Sequence, residues 1–122
     1  MARILVIDDD PDVREIVREA LEAAGHEVRE ADDGDGGLAL LRQSPADLVI
    51  TDIFMPGKEG LETILDVRQE FPGIKIIAIS GGGGLRTLDY LPAAREFGAI
   101  LAIPKPFDCD LLVAAVRDLL AR

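Results

Sequence analysis

One stretch near the middle of the chain decides the fold: Asp47-Leu48-Val49-Ile50-Thr51-Asp52-Ile53-Phe54-Met55-Pro56-Gly57. An apolar run ends in a single carboxylate, Asp52, and a Pro-Gly turn follows shortly after it. This pattern predicts a buried strand that delivers Asp52 to its carboxyl end, where the chain leaves the sheet. A charge beside a core is unfavourable unless something pairs with it, so Asp52 needs partners from elsewhere in the chain.

Three other apolar runs end in polar residues that could meet Asp52. Asp8-Asp9-Asp10 follows the first run, Ser80 ends another, and Lys105 follows the last one. In a parallel sheet the carboxyl ends of the strands share one edge, and sites form there. The sequence therefore predicts that four strand ends converge on one acidic pocket.

The rest of the chain alternates strand-like and helix-like segments, which is typical of an α/β domain. The predicted strands cover residues 3–8, 27–31, a run ending at 52, 74–79 and 100–103, and the predicted helices run from 11 to the glycine at 25, over 35–43 and 59–70, within 86–97, and over 108–120. Right-handed crossovers then give a parallel five-stranded sheet covered on both faces. The polar second strand fits an edge, which favours the order 2-1-3-4-5 and a site between strands one and three.

Composition excludes several classes of function. The 122 residues are 48% hydrophobic, enough for one domain with one core, and no apolar run approaches the ~18–20 residues of a membrane span. With no signal-peptide pattern, we expect a cytoplasmic protein. The single cysteine, Cys109, and the single histidine, His26, exclude internal disulfides and clusters of cysteine or histidine around a metal. A net charge of −10 without a basic stripe argues against direct contact with nucleic acid.

Taken together, the motifs resemble the receiver domain of two-component response regulators along nearly the whole chain. The matching residues are Asp8-Asp9, the segment 52–57, Ser80 and Lys105-Pro106-Phe107, each at a strand end. The resemblance implies a flavodoxin-like (βα)5 three-layer sandwich spanning residues 1–122. Because no linker or further segment follows the last predicted helix, we expect no output domain in this chain.

Crowded carboxylates repel one another, and a divalent cation relieves that repulsion. An all-oxygen site with room for water suits Mg²⁺. By resemblance, Asp9, Asp52 and the backbone carbonyl of Phe54 bind the metal directly, while Asp8 acts mainly through a coordinated water. Asp10 has a simpler interpretation, because an aspartate before Pro11 is typical of a helix N-cap.

The resemblance also implies a phosphoryl-transfer role for Asp52. It would attack the phosphohistidine of a sensor histidine kinase or phosphotransfer protein and keep the phosphoryl group as an acyl phosphate. Lys105 would offset charge on the phosphoryl oxygens, and Ser80 would donate a hydrogen bond to one of them. Such a chain is a signalling domain that catalyses its own phosphorylation and slow dephosphorylation, not an enzyme acting on external substrates.

The output of a receiver would pass to a separate effector through the predicted helix within 86–97, strand five and the last helix. We expect a monomer or a weak, phosphorylation-dependent dimer. This family usually has an aromatic residue three positions before the lysine, but here that position is Ala102. We therefore expect the signal to travel through ordering of the four glycines at positions 81–84.

Three alternatives stand beside this interpretation. The chain could be a docking module that never carries phosphate, or a phosphorelay intermediate that passes phosphate to a histidine phosphotransfer protein. A phosphohydrolase with an aspartyl intermediate is disfavoured. Such enzymes generally need a second aspartate two residues after the nucleophile, and that position is Phe54.

Overall fold

The computed structural model describes residues 2–53, 60–80, 98–104 and 107–121, and for Ser80 and Pro104 the backbone alone. Strands and helices alternate in the order β1 (Arg3–Ile7), α1 (Pro11–Ala23), β2 (Glu27–Ala31), α2 (Gly34–Gln43), β3 (Leu48–Asp52), α3 (Gly60–Glu70), β4 (Lys75–Ser80), β5 (Leu101–Pro104) and the C-terminal helix (Cys109–Leu120). The predicted boundaries agree with these to about one residue. The helix predicted within 86–97 lies outside the described residues.

All five strands form one parallel sheet in the order β2-β1-β3-β4-β5, which confirms the predicted topology. Glu27–Ala31 occupies one edge, as its mixed polarity predicts. The central strands β1 and β3 are neighbours, with Ile7 opposite Thr51. Because both strands run in the same direction, the next residues, Asp8 and Asp52, emerge side by side at the carboxyl edge.

The sheet divides the buried apolar residues into two clusters, one on each face. One lies under α2 and α3 and includes Leu5, Ile7, Leu38, Leu41, Val49, Ile64, Val67 and Ile76. The other lies under α1 and the C-terminal helix and includes Ile4, Val6, Val17, Leu21, Ile50, Leu112, Val116 and Leu119. Both faces of β1 and β3 are therefore buried, which is why their sequences are continuously apolar.

Local chemistry sets the helix ends. The Asp10 carboxylate accepts a hydrogen bond from the Asp12 N–H at 2.9 Å, and Pro11 occupies the first helical position, as predicted. Gly25 follows α1 with φ +95°, a left-handed conformation that glycine adopts without strain. In the described part of the chain, no helix has the length and apolar character needed to cross a bilayer.

Candidate functional site

Three carboxylates meet at the carboxyl edge of the sheet. One oxygen each from Asp8, Asp9 and Asp52 lies within 4.8 Å of the other two. Asp8 is completely buried and Asp52 is 4% exposed, whereas Asp9 is exposed to solvent. The structure thus brings together the three aspartates that the sequence placed at the ends of two neighbouring strands.

Asp8 is held by contacts to its backbone and to its side chain. Its N–H donates to the Ala31 carbonyl at 3.1 Å, extending the β1–β2 ladder by one bond. Its carbonyl accepts from Arg14 Nη1 at 2.6 Å, and its Oδ1 accepts from the Asp10 N–H at 2.9 Å. These contacts fix both the position and the orientation of the buried carboxylate.

Asp52 is positioned by the sheet and by the start of α3. It lies opposite Ile79 in the register of β3 and β4, and the next residue, Ile53, donates its N–H to the Ile79 carbonyl at 2.9 Å. Gly60 donates to the Ile53 carbonyl at 2.9 Å. A Cβ on Gly60 would lie 2.1 Å from the Asp52 carbonyl oxygen and 2.4 Å from Ile53 Cα, so only glycine fits there.

The residues present fit a hard divalent cation. A Mg–O bond of about 2.1 Å places opposite ligands on one ion about 4.2 Å apart, and the three carboxylate oxygens lie within 4.8 Å of one another. Oxygen-only ligands at a partly buried position are the kind that Mg²⁺ and similar ions prefer. Two of the three carboxylates are buried, and their negative charges repel one another. A cation bound between them would relieve that repulsion. Asp8, Asp9 and Asp52 could therefore hold such an ion.

The other predicted site residues are only partly described. Phe54 and Lys105 lie outside the described residues. The backbone of Ser80 ends β4 opposite Pro104 of β5, which places Ser80 at the same edge of the sheet as the aspartates. Asp10, the third acidic residue of its run, is the N-cap of α1 and not a member of the cluster.

Sequence reasoning missed two residues that support the site. Gly60 gave only a weak signal, a glycine at the start of a predicted helix. Arg14 gave none, although its guanidinium joins Asp8 to Glu30 through hydrogen bonds of 2.6 and 3.2 Å. Glu30 also pairs with Arg18, and this hydrogen bond and charge raise the pKa of the Arg18 guanidinium above its ordinary value.

Comparison with known proteins agrees with this geometry. A family model described as the response regulator receiver domain matches residues 4–117. The chain belongs to this receiver family. Receivers are phospho-accepting signalling domains of two-component systems, and they bind Mg²⁺ at an acidic pocket. In this receiver, Asp8, Asp9 and Asp52 form a cluster of acidic side chains at the carboxyl edge of the sheet.

Curated relatives of this receiver are named as regulatory proteins. It is 38% identical to the nitrogen assimilation regulatory protein NtrX of Azorhizobium caulinodans over 90% of its own length, and covers 24% of that protein. It is 37% identical to the transcriptional regulatory protein CpxR of Klebsiella pneumoniae over its whole length, and covers 50% of that protein. The receiver thus spans a quarter to a half of these relatives.

Solved structures of similar length share its fold. The receiver domain of NtrX from Brucella abortus superposes with a TM-score of 0.90 at 33% identity, covering 97% of this chain and 98% of that one. The chemotaxis protein CheY4 of Vibrio cholerae gives a TM-score of 0.85 at 28% identity, with coverages of 97% and 98%. The flavodoxin-like three-layer fold is confirmed.

Proposed function

We propose that this receiver takes a phosphoryl group onto Asp52, in a Mg²⁺-dependent reaction, from a phosphohistidine on a sensor histidine kinase or a phosphotransfer protein. One observation carries the proposal: Asp52 ends a central strand with its carboxylate within 4.8 Å of those of Asp8 and Asp9. A lone aspartate at a strand end would have neither the metal ligands nor the fixed position that this chemistry requires.

The protein contributes mainly position and charge. An Asp52 oxygen bonds to phosphorus as the bond from phosphorus to the imidazole nitrogen breaks, which leaves an acyl phosphate on Asp52 and a free histidine on the donor. Bound Mg²⁺ supplies charge compensation for the phosphoryl oxygens. Asp9, Asp52 and the Phe54 carbonyl are the proposed direct ligands of that ion, and Asp8 would act mainly through a coordinated water.

Two further residues complete the proposed site. Lys105 would neutralise part of the charge on the phosphoryl oxygens, and Ser80 would donate a hydrogen bond to one of them. The backbone of Ser80 at the carboxyl edge supports its assignment. Lys105 follows directly after Pro104, the last residue of β5, so its sequence position favours the same edge.

We expect the phosphorylated receiver to signal to an effector through β5, the C-terminal helix and the segment 86–97. Ala102 lies on β5 opposite Ala78 and is half-buried, and it has no ring that could reorient. The signal would then pass from Ser80 into the glycines at 81–84 as a change in order. Hydrogen exchange with and without a phosphoryl mimic tests this, since equal protection of residues 81–91 would rule it out.

Two alternatives remain open to experiment. A docking module that never carries phosphate would use the same surface in a single state. A phosphorelay intermediate would pass its phosphoryl group on to a histidine. Phosphate incorporation separates the first from the proposed function, and transfer from the labelled receiver to a histidine phosphotransfer protein identifies the second.

The decisive experiment compares two aspartates at opposite ends of β3. Asp52→Asn should abolish labelling by acetyl phosphate, because the amide cannot act as the nucleophile. Asp47→Asn makes the same chemical change before the first residue of the strand and should be labelled like wild type. Chelating Mg²⁺ with EDTA should abolish labelling of both wild type and Asp47→Asn. Full labelling of Asp52→Asn would refute the assignment.

A further inference from the structure

We propose that Arg14 is a positioning residue for the acidic pocket. It holds the backbone of Asp8 so that the Asp8 and Asp9 carboxylates are already arranged for Mg²⁺ before the ion arrives. This inference rests on the proposed function, because it concerns how the same site achieves its metal affinity. Arg14 itself is not placed among the metal ligands.

The first step in the argument is the contact between Arg14 and Asp8. Arg14 Nη1 donates to the Asp8 carbonyl at 2.6 Å, a short hydrogen bond assisted by the charge of the guanidinium. The Asp8 N–H donates to the Ala31 carbonyl on β2. Asp8 is therefore held from both sides, by α1 at its carbonyl and by β2 at its N–H.

The second step is that Arg14 is itself held in place. Its Nε donates to Glu30 Oε1 at 3.2 Å, and Arg18 pairs with Oε2 of the same carboxylate. The side chains of Arg14 and Glu30 are only 18% and 24% exposed, so water and salt screen this pair less than a surface pair. Glu30 and Ala31 are consecutive on β2, so a single segment anchors both the arginine and the Asp8 N–H.

The third step concerns two opposing effects of Arg14 on a bound cation. A positive guanidinium near the pocket repels Mg²⁺, and removing it would strengthen binding. A fixed Asp8 backbone favours Mg²⁺, and releasing it would weaken binding. Glu30, which pairs with both Arg14 and Arg18, offsets part of the repulsion, and the contact from Arg14 to the Asp8 carbonyl is direct, so we expect the positioning effect to dominate. The sign of the change in affinity therefore distinguishes the two roles.

The experiment measures Mg²⁺ affinity by NMR titration of the full chain with the metal alone. Arg14→Gln removes the charge and the two-pronged contact, while Arg14→Lys keeps the charge but cannot bridge both partners. Both variants should bind Mg²⁺ about tenfold more weakly than wild type, the scale typical of residues that orient metal ligands. If charge were the whole effect, Arg14→Gln would bind more tightly and Arg14→Lys would match wild type.

Arg29→Gln is the matched control. Arg29 is also a half-buried arginine whose guanidinium donates to two carbonyls, those of Leu40 at 3.0 Å and Ser44. Arg29→Gln changes the net charge by the same amount as Arg14→Gln. The contacts of Arg29, however, lie at the carboxyl end of α2 and do not involve the aspartates of the acidic pocket. Wild-type Mg²⁺ affinity is expected for it, even if its thermal stability falls.

The outcomes separate this inference from the proposed function. Wild-type binding of Mg²⁺, and its loss in Asp52→Asn, test the site itself. If those hold and folded Arg14 variants bind Mg²⁺ like wild type, the inference is overturned and the proposed function stands. Should Arg14→Gln fail to fold, Arg14→Lys decides alone.

A second readout is exchange of the Asp8 amide hydrogen without metal, which should be faster in the Arg14 variants than in Arg29→Gln.

Discussion

The two ends of the sheet differ in the charged side chains that lie there. At the carboxyl end, three carboxylates crowd together and two of them are buried. At the amino end, a groove of about 790 Å³ is lined by both signs of charge, since Asp47 and Glu70 lie there with Lys75 and Arg117. The strand β3 connects the two environments, since Asp47 precedes it and Asp52 ends it.

Contacts at the amino end show how the protein offsets its own charges. Asp47 accepts a hydrogen bond from the Arg3 N–H at 2.8 Å, and Arg42 binds both oxygens of Glu70 at 2.7 and 2.9 Å. Lys75 donates to the carbonyl of Leu119 near the end of the C-terminal helix. The comparison teaches that an open groove need not mark the site that we propose. The clustering of three carboxylates at the opposite end is the better guide.

The largest effect should come from adding one methyl group at the carboxyl end. In Gly60→Ala the new Cβ would meet the Asp52 carbonyl oxygen at 2.1 Å, so the backbone of the site must shift. We expect the free energy of unfolding to fall by about 3 kcal/mol, the upper part of the usual range for overpacking, and Mg²⁺ affinity to fall with it. Urea unfolding and Mg²⁺ titration measure the two quantities.

Gly73→Ala is the control for that prediction at the amino end. A Cβ on Gly73 meets nothing within 4 Å, so the substitution should change stability by no more than about 0.5 kcal/mol and leave Mg²⁺ affinity unchanged. Equal losses of stability in the two alanine variants would contradict the close approach described at Gly60.

The next prediction is that the same substitution, Asp to Asn, changes the free energy of unfolding in opposite directions at the two ends of β3. Without Mg²⁺, Asp52→Asn should raise the free energy of unfolding by about 1 kcal/mol, because two unit charges ~4 Å apart interact by roughly that much even in bulk water. Asp47→Asn should instead lower it by about 0.5 kcal/mol, because the Arg3 N–H loses a charged acceptor. Urea unfolding in EDTA measures both variants.

Saturating Mg²⁺ should reverse the order of wild type and Asp52→Asn. An ion that binds only the folded state adds stability in proportion to the logarithm of its concentration over its dissociation constant, and the variant binds it weakly. Asp47→Asn should gain the same increment as wild type. If Asp52→Asn were the less stable protein in EDTA as well, repulsion among the carboxylates would not govern the stability of the metal-free site.

The smallest effect concerns the thiol of Cys109, which begins the C-terminal helix at the carboxyl end. Burial raises its pKa above the ordinary value, and the charges of Asp108 and Asp110 raise it further. A raised pKa means less thiolate at a given pH, so at pH 8 alkylation by iodoacetamide should be slower in the folded protein than in the urea-unfolded chain. Equal alkylation rates in the folded and unfolded protein would contradict a raised pKa for Cys109.

The same shift gives a dependence of stability on pH. The folded state holds the thiol proton more tightly than the unfolded state, so this contribution is fully present below the ordinary thiol pKa and is lost as the pH rises through the raised pKa. Cys109→Ser should remove this alkaline loss. Urea unfolding of both proteins from pH 7 to pH 10 measures it.

Much of the fold and the centre of the site could be predicted from the sequence. Continuous apolar runs identify buried parallel strands, and parallel topology then brings Asp8 and Asp52 together without any knowledge of distances. Asp10 before Pro11 identified the start of α1 in the same way. These features depend on periodicity and chain direction, which the order of residues records directly.

The supporting contacts could not be predicted in that way. The hydrogen bond from Arg14 to the Asp8 carbonyl joins a side chain to a backbone atom, and the exclusion of a side chain at Gly60 depends on a distance of 2.1 Å. Neither follows a repeating pattern. An arginine on a helix and a glycine in a first helical turn are common, so the roles of Arg14 and Gly60 become visible only when atoms are placed in space.

The cluster under α1 and the C-terminal helix has a consequence for biosynthesis. It joins Val17 and Leu21 near the start of the chain to Leu112, Val116 and Leu119 near residue 120. The ribosome releases the first partners long before the last, so part of the apolar side of α1 stays uncovered until residues 109–120 have been made. The opposite layer, built largely from residues 5–78, can consolidate earlier. A nascent chain stalled before residue 109 should therefore expose α1 to chaperones.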